Sequence, residues 1–99
     1  MIPLRVHPEA QDEINAISDY YDGLPTGLGN AFLGELADGF DQIQTLPYAW
    51  AIWRDDIRRY QLSRFPYSIV YHADANEVLV IAVMHQRRQP DYWLGRVGD

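Results

Sequence analysis

Apolar residues recur along this chain in two rhythms, and the change from one to the other divides it near residue 50. After a short apolar opening, Ile2 to Val6, which reads as a strand, Ala10, Ile14, Ile17 and Tyr21 follow at spacings of four, three and four. That is one stripe of an amphipathic helix. His7-Pro8-Glu9 opens it, since proline fits the first helical turn and Glu9, Asp12 and Glu13 favour the positive end of the helix dipole. Asp22-Gly23 closes it, glycine being suited to a left-handed C-terminal cap. Pro25 to Gly29 connects to a second helix, from Leu28 or Asn30 to Thr45, with Phe32, Leu36, Phe40 and Ile43 on its apolar face and Leu33 beside it. Leu46-Pro47 ends it, because proline disfavours helix in the residue before it. So short a link predicts an antiparallel helical hairpin. Asp12, Asp19, Glu35, Asp38 and Asp41 read as its solvated outer faces.

Beyond a Trp/Tyr-rich connection, Tyr48 to Trp53, the rhythm changes to strands. Ile57 to Phe65 alternates, with Tyr60 and Leu62 on one face and Arg59, Gln61 and Ser63 on the other. Pro66 turns the chain, Tyr67 to His72 returns, and Asp74-Ala75-Asn76 supplies the next turn through its polar turn-forming residues. Glu77 to His85 is the third strand, and its unbroken run Val78 to Met84 predicts a central position with both faces covered. Gln86 to Pro90 ends the sheet and leaves a tail from Asp91 to Asp99. The predicted fold class is α+β: an N-terminal strand, the helical hairpin, then a three-stranded antiparallel meander with the helices on one face.

Length and composition narrow the reading. Ninety-nine residues, 47% of them hydrophobic, predict one globular domain over residues 1–99. Cysteine is absent, which excludes disulfides, zinc–thiolate sites and a thiol nucleophile. The longest apolar run has seven residues, against the ~20 that a membrane-spanning helix needs. Met1 to Arg5 carries no signal-peptide pattern, so a cytoplasmic location without membrane contact is expected. Fourteen acids against eight bases give a net charge of −6, which argues against a free-standing, sequence-specific nucleic-acid binder. The distribution is lopsided. Residues 1–50 hold eight acids and one base, residues 51–99 six acids and seven bases, and every base is arginine.

The turns place residues together. With turns near Pro66 and Ala75, Arg64 ends beside Tyr67, His72 faces Val78, and His85 lies across from about Phe65. Arg64, His85, Arg87 and Arg88 gather at one end of the sheet, and Arg58, Arg59 and His72 at the other. About seven residues of strand at ~3.3 Å each separate His72 from His85 by ~20 Å, too far to share a metal. His7 adds no ligand spacing, so neither metal nor cofactor is expected. No Ser-His-Asp set and no glycine-rich phosphate loop is present. Arg64, His85, Arg87 and Arg88 with Tyr92 and Trp93 suit phosphate and base contacts, or else form an ordinary solvated strand end. His85 alone suits general acid–base chemistry, although a lone strand-end histidine is more often structural. Tyr48, Trp50 and Trp53 read either as an aromatic patch for a partner or as a lid on the core.

The stretch Arg58-Arg59-Tyr60-Gln61-Leu62-Ser63-Arg64-Phe65-Pro66-Tyr67-Ser68-Ile69-Val70-Tyr71 resembles the central signature of the ParE branch of the ParE/RelE toxin superfamily. His85-Gln86-Arg87-Arg88-Gln89-Pro90-Asp91-Tyr92-Trp93 resembles its closing pattern, with Gln89 in place of the usual aspartate. Pro8-Glu9-Ala10 entering an acidic helix, with Tyr20-Tyr21 near its end, fits as well. The resemblance implies the toxin of a type II toxin–antitoxin pair that inhibits DNA gyrase and is neutralised by a small ParD-like antitoxin. The RelE branch instead cleaves messenger RNA on the ribosome. Ser68 stands where that branch would place an arginine and no lysine precedes it, which weakens the nuclease alternative. A weakly toxic antitoxin-binding module is a third alternative. On this reading Arg64, His85, Arg87, Arg88, Tyr92 and Trp93 are target-contact candidates without a catalytic role. Tyr20, Tyr21, Trp50 and Trp53 are candidates for the apolar contacts of an amphipathic antitoxin helix.

Overall fold

A computed structural model describes residues 1–97. Its elements run β1 (Leu4–Val6), α1 (Pro8–Asp22), α2 (Gly29–Thr45), β2 (Ile52–Arg54), β3 (Ile57–Gln61), β4 (Tyr67–Ala73) and β5 (Val78–His85), closing with a 3-10 turn at Leu94–Arg96. The helical hairpin follows its sequence pattern: Ala10, Ile14 and Ile17 of α1 and Phe32, Leu36 and Ile43 of α2 are buried, while Leu33 stays exposed. His7 caps α1 with its side chain, Nδ1 accepting from Glu9 N–H at 3.1 Å. Gly23 does not take the expected left-handed cap, for its φ is −74°. The left-handed residue of this connection is Gly27, at φ 60°.

The sheet is larger than predicted and mixed rather than antiparallel. Five strands lie in the order β1-β5-β4-β3-β2, with β1 parallel to β5 and every other pairing antiparallel. The added strand is β2, within the stretch expected to be a connection. Ile52 and Trp53 are good strand formers, and Asp55, at φ 52°, turns the chain tightly into β3. β3 stops at Gln61 rather than Phe65 because the Ser63 and Arg64 N–H groups turn away to the Glu35 carboxylate of α2. The register therefore moves from the expected one, with His72 opposite Leu79 and His85 opposite Tyr67.

β5 has both faces covered, as its unbroken apolar run predicts. Val78, Val80 and Val83 join Ile69 and Tyr71 beneath the helices. Ile81, Ala82 and Met84 face the other way with Ile57 and Val70. A bulge makes this possible: Val70 pairs with Ala82 and Tyr71 with Val80, so Ile81 is the extra residue and two successive side chains share a face. The helices approach the sheet closely at Gly39, where a Cβ would stand 2.8 Å from Ile69 Cδ1 and 3.0 Å from Tyr60 Cε1. Among the described residues no helix is long and apolar enough to cross a membrane.

Candidate functional site

The C-terminal segment folds back from β5 and closes the second face of the sheet. Trp93 is its anchor, 0% exposed among Ile57, Val70, Ile81, Ala82 and Met84, with the Trp53 ring 5.9 Å away. As a target contact it is therefore corrected: Trp93 is a core residue. Arg96, three residues later, carries the segment across the edge of β5. β1 pairs with β5 only as far as Val80, so Ile81 C=O and Val83 N–H have no strand beside them. Arg96 Nη1 donates to Ile81 O at 3.0 Å, and Val83 N–H donates to Glu13 Oε1 at 3.0 Å. Glu13 also accepts from Tyr92 Oη–H at 2.7 Å and from both terminal nitrogens of Arg96 at 3.0 Å. Two side chains thus stand in for the missing strand, and both Glu13 oxygens are filled.

Sequence reading missed Glu13 as a partner of the tail. Its signal was its place on the stripe, three residues after Ala10 and four before Ile17, where an acid faces the protein rather than water. Burial, reinforced by the Glu13 carboxylate, raises the Tyr92 phenol well above the ordinary tyrosine range and keeps it a neutral donor. Glu35 corrects the expectation of a solvated acid too, since its side chain is 13% exposed. Burial alone would raise its carboxyl, but hydrogen bonds from the Ser63 hydroxyl and the Ser63 and Arg64 N–H groups, with the Arg64 charge, leave it below the usual range.

The target-contact candidates gather at the end of the sheet where β4 begins and β5 ends. Gln86 N–H donates to Pro66 O at 2.9 Å, which holds the segment after β5 against the turn after Arg64. Arg87 N–H donates to His85 Nδ1 at 3.0 Å, so the ring proton resides on Nε2. The Tyr67 ring meets the His85 ring edge-on at 5.1 Å, and Arg88 lies over Tyr92 at 4.0 Å. Between α1, these strand ends and Tyr92 lies a cleft of about 220 Å³ whose apolar lining is Ala16, Ile17 and Val83. Arg64 turns instead toward Glu35, at 3.5 Å.

The antitoxin-contact candidates divide. Tyr20 is exposed, whereas Tyr21 packs on Phe32 and Phe65. Trp50 lies on the helix side of the sheet, edge-on to Tyr60 at 4.8 Å, and Trp53 on the opposite side beneath the Arg59 guanidinium at 4.7 Å. The two tryptophans do not form one patch. A larger hollow of about 500 Å³ opens near Leu79 and Leu94 at the far end of the second face. Its arginines are already paired, Arg5 with Glu77, Arg54 with Asp91 and Arg96 with Glu13, and the His72 ring meets Asp56 at 2.9 Å. No group of three or more metal-ligating side chains occurs among the described residues.

The fold is similar to that of a solved structure described as a chromosomal ParDE TA system from P. aeruginosa. The two superpose with a TM-score of 0.74 at 18% identity, over 86% of this chain and 96% of that one. Residues 4–90 match the family model for the ParE toxin of the type II toxin–antitoxin system parDE, and the chain belongs to that family. No curated protein sequence matches it.

Proposed function

We propose that this protein is the toxin of a type II pair, neutralised by a small ParD-like antitoxin, and that it inhibits DNA gyrase by binding rather than by chemistry of its own. The observation that carries the reading is the family match over residues 4–90. Two features support gyrase over RNA cleavage. Ser68, where the ribonuclease branch would place an arginine, is 1% exposed and donates to Gln61 Oε1 at 2.9 Å, so no cation stands at that point of the sheet. Glu13, which lines the same cleft as His85, has both oxygens occupied and no lone pair left for a substrate proton. The gyrase contacts belong to Arg64, His85, Arg87, Arg88 and Tyr92. The antitoxin has exposed apolar side chains to cover at the hairpin tip: Tyr20, Leu24 and Leu28.

The test is a cleavage assay with purified gyrase, ATP and supercoiled plasmid. Gyrase-linked broken DNA that accumulates with this protein and disappears when charges are reversed at Arg87 and Arg88 is the expected result. Folded protein that leaves gyrase unaffected would refute the target, and weight would move to ribosome-dependent RNA cleavage or to an antitoxin binder of little toxicity.

A further inference from the structure

The cleft between α1, the ends of β4 and β5 and Tyr92 is lined by several donors and a single carboxylate. Its one carboxylate, Glu13, is consumed by Val83, Tyr92 and Arg96. What remains is His85 Nε2–H, fixed as a donor by the Arg87 N–H on Nδ1, the Arg88 guanidinium and the Tyr67 hydroxyl. Burial raises the Tyr67 phenol, so it too stays protonated. The ion pairs among the described residues engage Arg5, Arg54, Arg64 and Arg96, and leave Arg88 without an acid. Ala16, Ile17 and Val83 give the rest of the lining an apolar surface. An uncompensated cluster of donors beside apolar surface is a receptor for one negative charge on a short hydrocarbon stem.

We propose that this cleft receives a single acidic side chain of the antitoxin. The inference rests on the antitoxin reading above. The occupant is a protein carboxylate rather than a nucleic-acid phosphate, for two reasons. A cleft of about 220 Å³ admits one side chain. Among the described residues at this end, Arg87 and Arg88 alone lack a carboxylate partner, too few to hold successive phosphates against a net charge of −6. Arg88 supplies the charge, while His85 and Tyr67 set the direction of approach. The contact also fixes the register of an antitoxin segment that an apolar surface alone would let slide.

Sodium propionate, propionamide and inorganic phosphate are titrated separately into the labelled protein while the His85 Nε2–H and Arg88 Nε–H signals are followed by NMR. Millimolar propionate shifts both signals, isosteric propionamide shifts neither, and Arg88→Gln and Tyr67→Phe each weaken the response. Equal shifts with propionamide, or phosphate binding more tightly than propionate, would overturn the proposal. In a second arm the protein encoded beside this one is titrated by calorimetry into wild type, Arg88→Gln and Tyr67→Phe. Loss of a charge-assisted contact weakens binding about 10- to 100-fold for Arg88→Gln, with Tyr67→Phe in between. Undiminished affinity in both variants would exclude the antitoxin as occupant. Failure of the wild type to bind would defeat the antitoxin reading itself, separately from the carboxylate preference that propionate measures.

Discussion

Replacing Glu13 with alanine separates two descriptions of that residue. By position it is an acid in the first turns of α1, worth about 0.3–1 kcal/mol against the helix dipole. By contact it is the acceptor that fastens the C-terminal segment to the unpaired edge of β5. Its oxygens take hydrogen bonds from Val83, Tyr92 and both ends of the Arg96 guanidinium. The side chains of Arg96 and Glu13 are 10% and 18% exposed. Removing Glu13 leaves the enclosed Arg96 guanidinium with only the exposed Glu9 carboxylate, 3.8 Å away, at a cost of about 3–5 kcal/mol. With ~4–8 °C per kcal/mol for a domain of this size, the melting temperature falls by at least ~12 °C. The assay is thermal and urea unfolding followed by far-UV and near-UV circular dichroism, the latter sensitive to the Trp93 environment. The exposed pair Arg5–Glu77, at 60% and 35% exposure, is the control, and Glu77→Ala costs under ~1 kcal/mol. Replacing both Glu13 and Arg96 by methionine restores much of the loss, because no buried charge is then left alone. A Glu13→Ala loss no larger than that of Glu77→Ala would refute the account of the β5 edge.

The carboxyl of Glu35 lies lower in the folded chain than in the unfolded one, so its contribution is complete above the unfolded value of ~4.3 and drains away as pH falls through the folded value. Unfolding midpoints taken between neutral pH and pH 2.5 show a shallower acid loss in Glu35→Gln than in wild type; parallel curves would contradict this. Trp93→Ala costs about 3–5 kcal/mol in equilibrium unfolding, as loss of a buried core indole should, and a fully stable variant would return Trp93 to the surface candidates. Gly39→Val destabilises by about 1–3 kcal/mol, because its Cβ meets Ile69 and Tyr60 across the helix–sheet contact. Unchanged stability would mean the sheet yields there at no cost.

Legibility in the sequence followed the strength of periodicity. The hairpin was readable because two helical stripes and two stop signals agree, and β4 and β5 because their runs are long and apolar. β2 was not, since three residues carry no measurable alternation and its pairing depends on a left-handed Asp55. The parallel placement of β1 is a non-local choice that local pattern does not encode. At the candidate site the arginine and histidine end was anticipated from turn positions alone. Trp93 was misplaced because a tail after the last strand reads as surface, and only the folded chain reveals a second sheet face that needs covering.

The partners of its arginines explain how an acidic chain presents a basic site. Four of its arginines are spent on ion pairs with Glu77, Asp91, Glu35 and the Glu13–Glu9 pair. Arg58 is spent on the carbonyls of Tyr48 and Trp50, and Arg59 on the face of Trp53. Among the described residues Arg87 and Arg88 are left with no acid, next to a histidine whose proton sits on Nε2 and a tyrosine that stays neutral. Net charge governs long-range encounter, but recognition at contact depends on which charges remain uncompensated within about a Debye length of ~8 Å at physiological salt. At that scale the end of β5 is cationic although the whole chain is not. Raising ionic strength therefore weakens binding of an acidic partner there, and Arg87→Gln with Arg88→Gln flattens that salt dependence; an unaltered slope would mean the partner is held elsewhere.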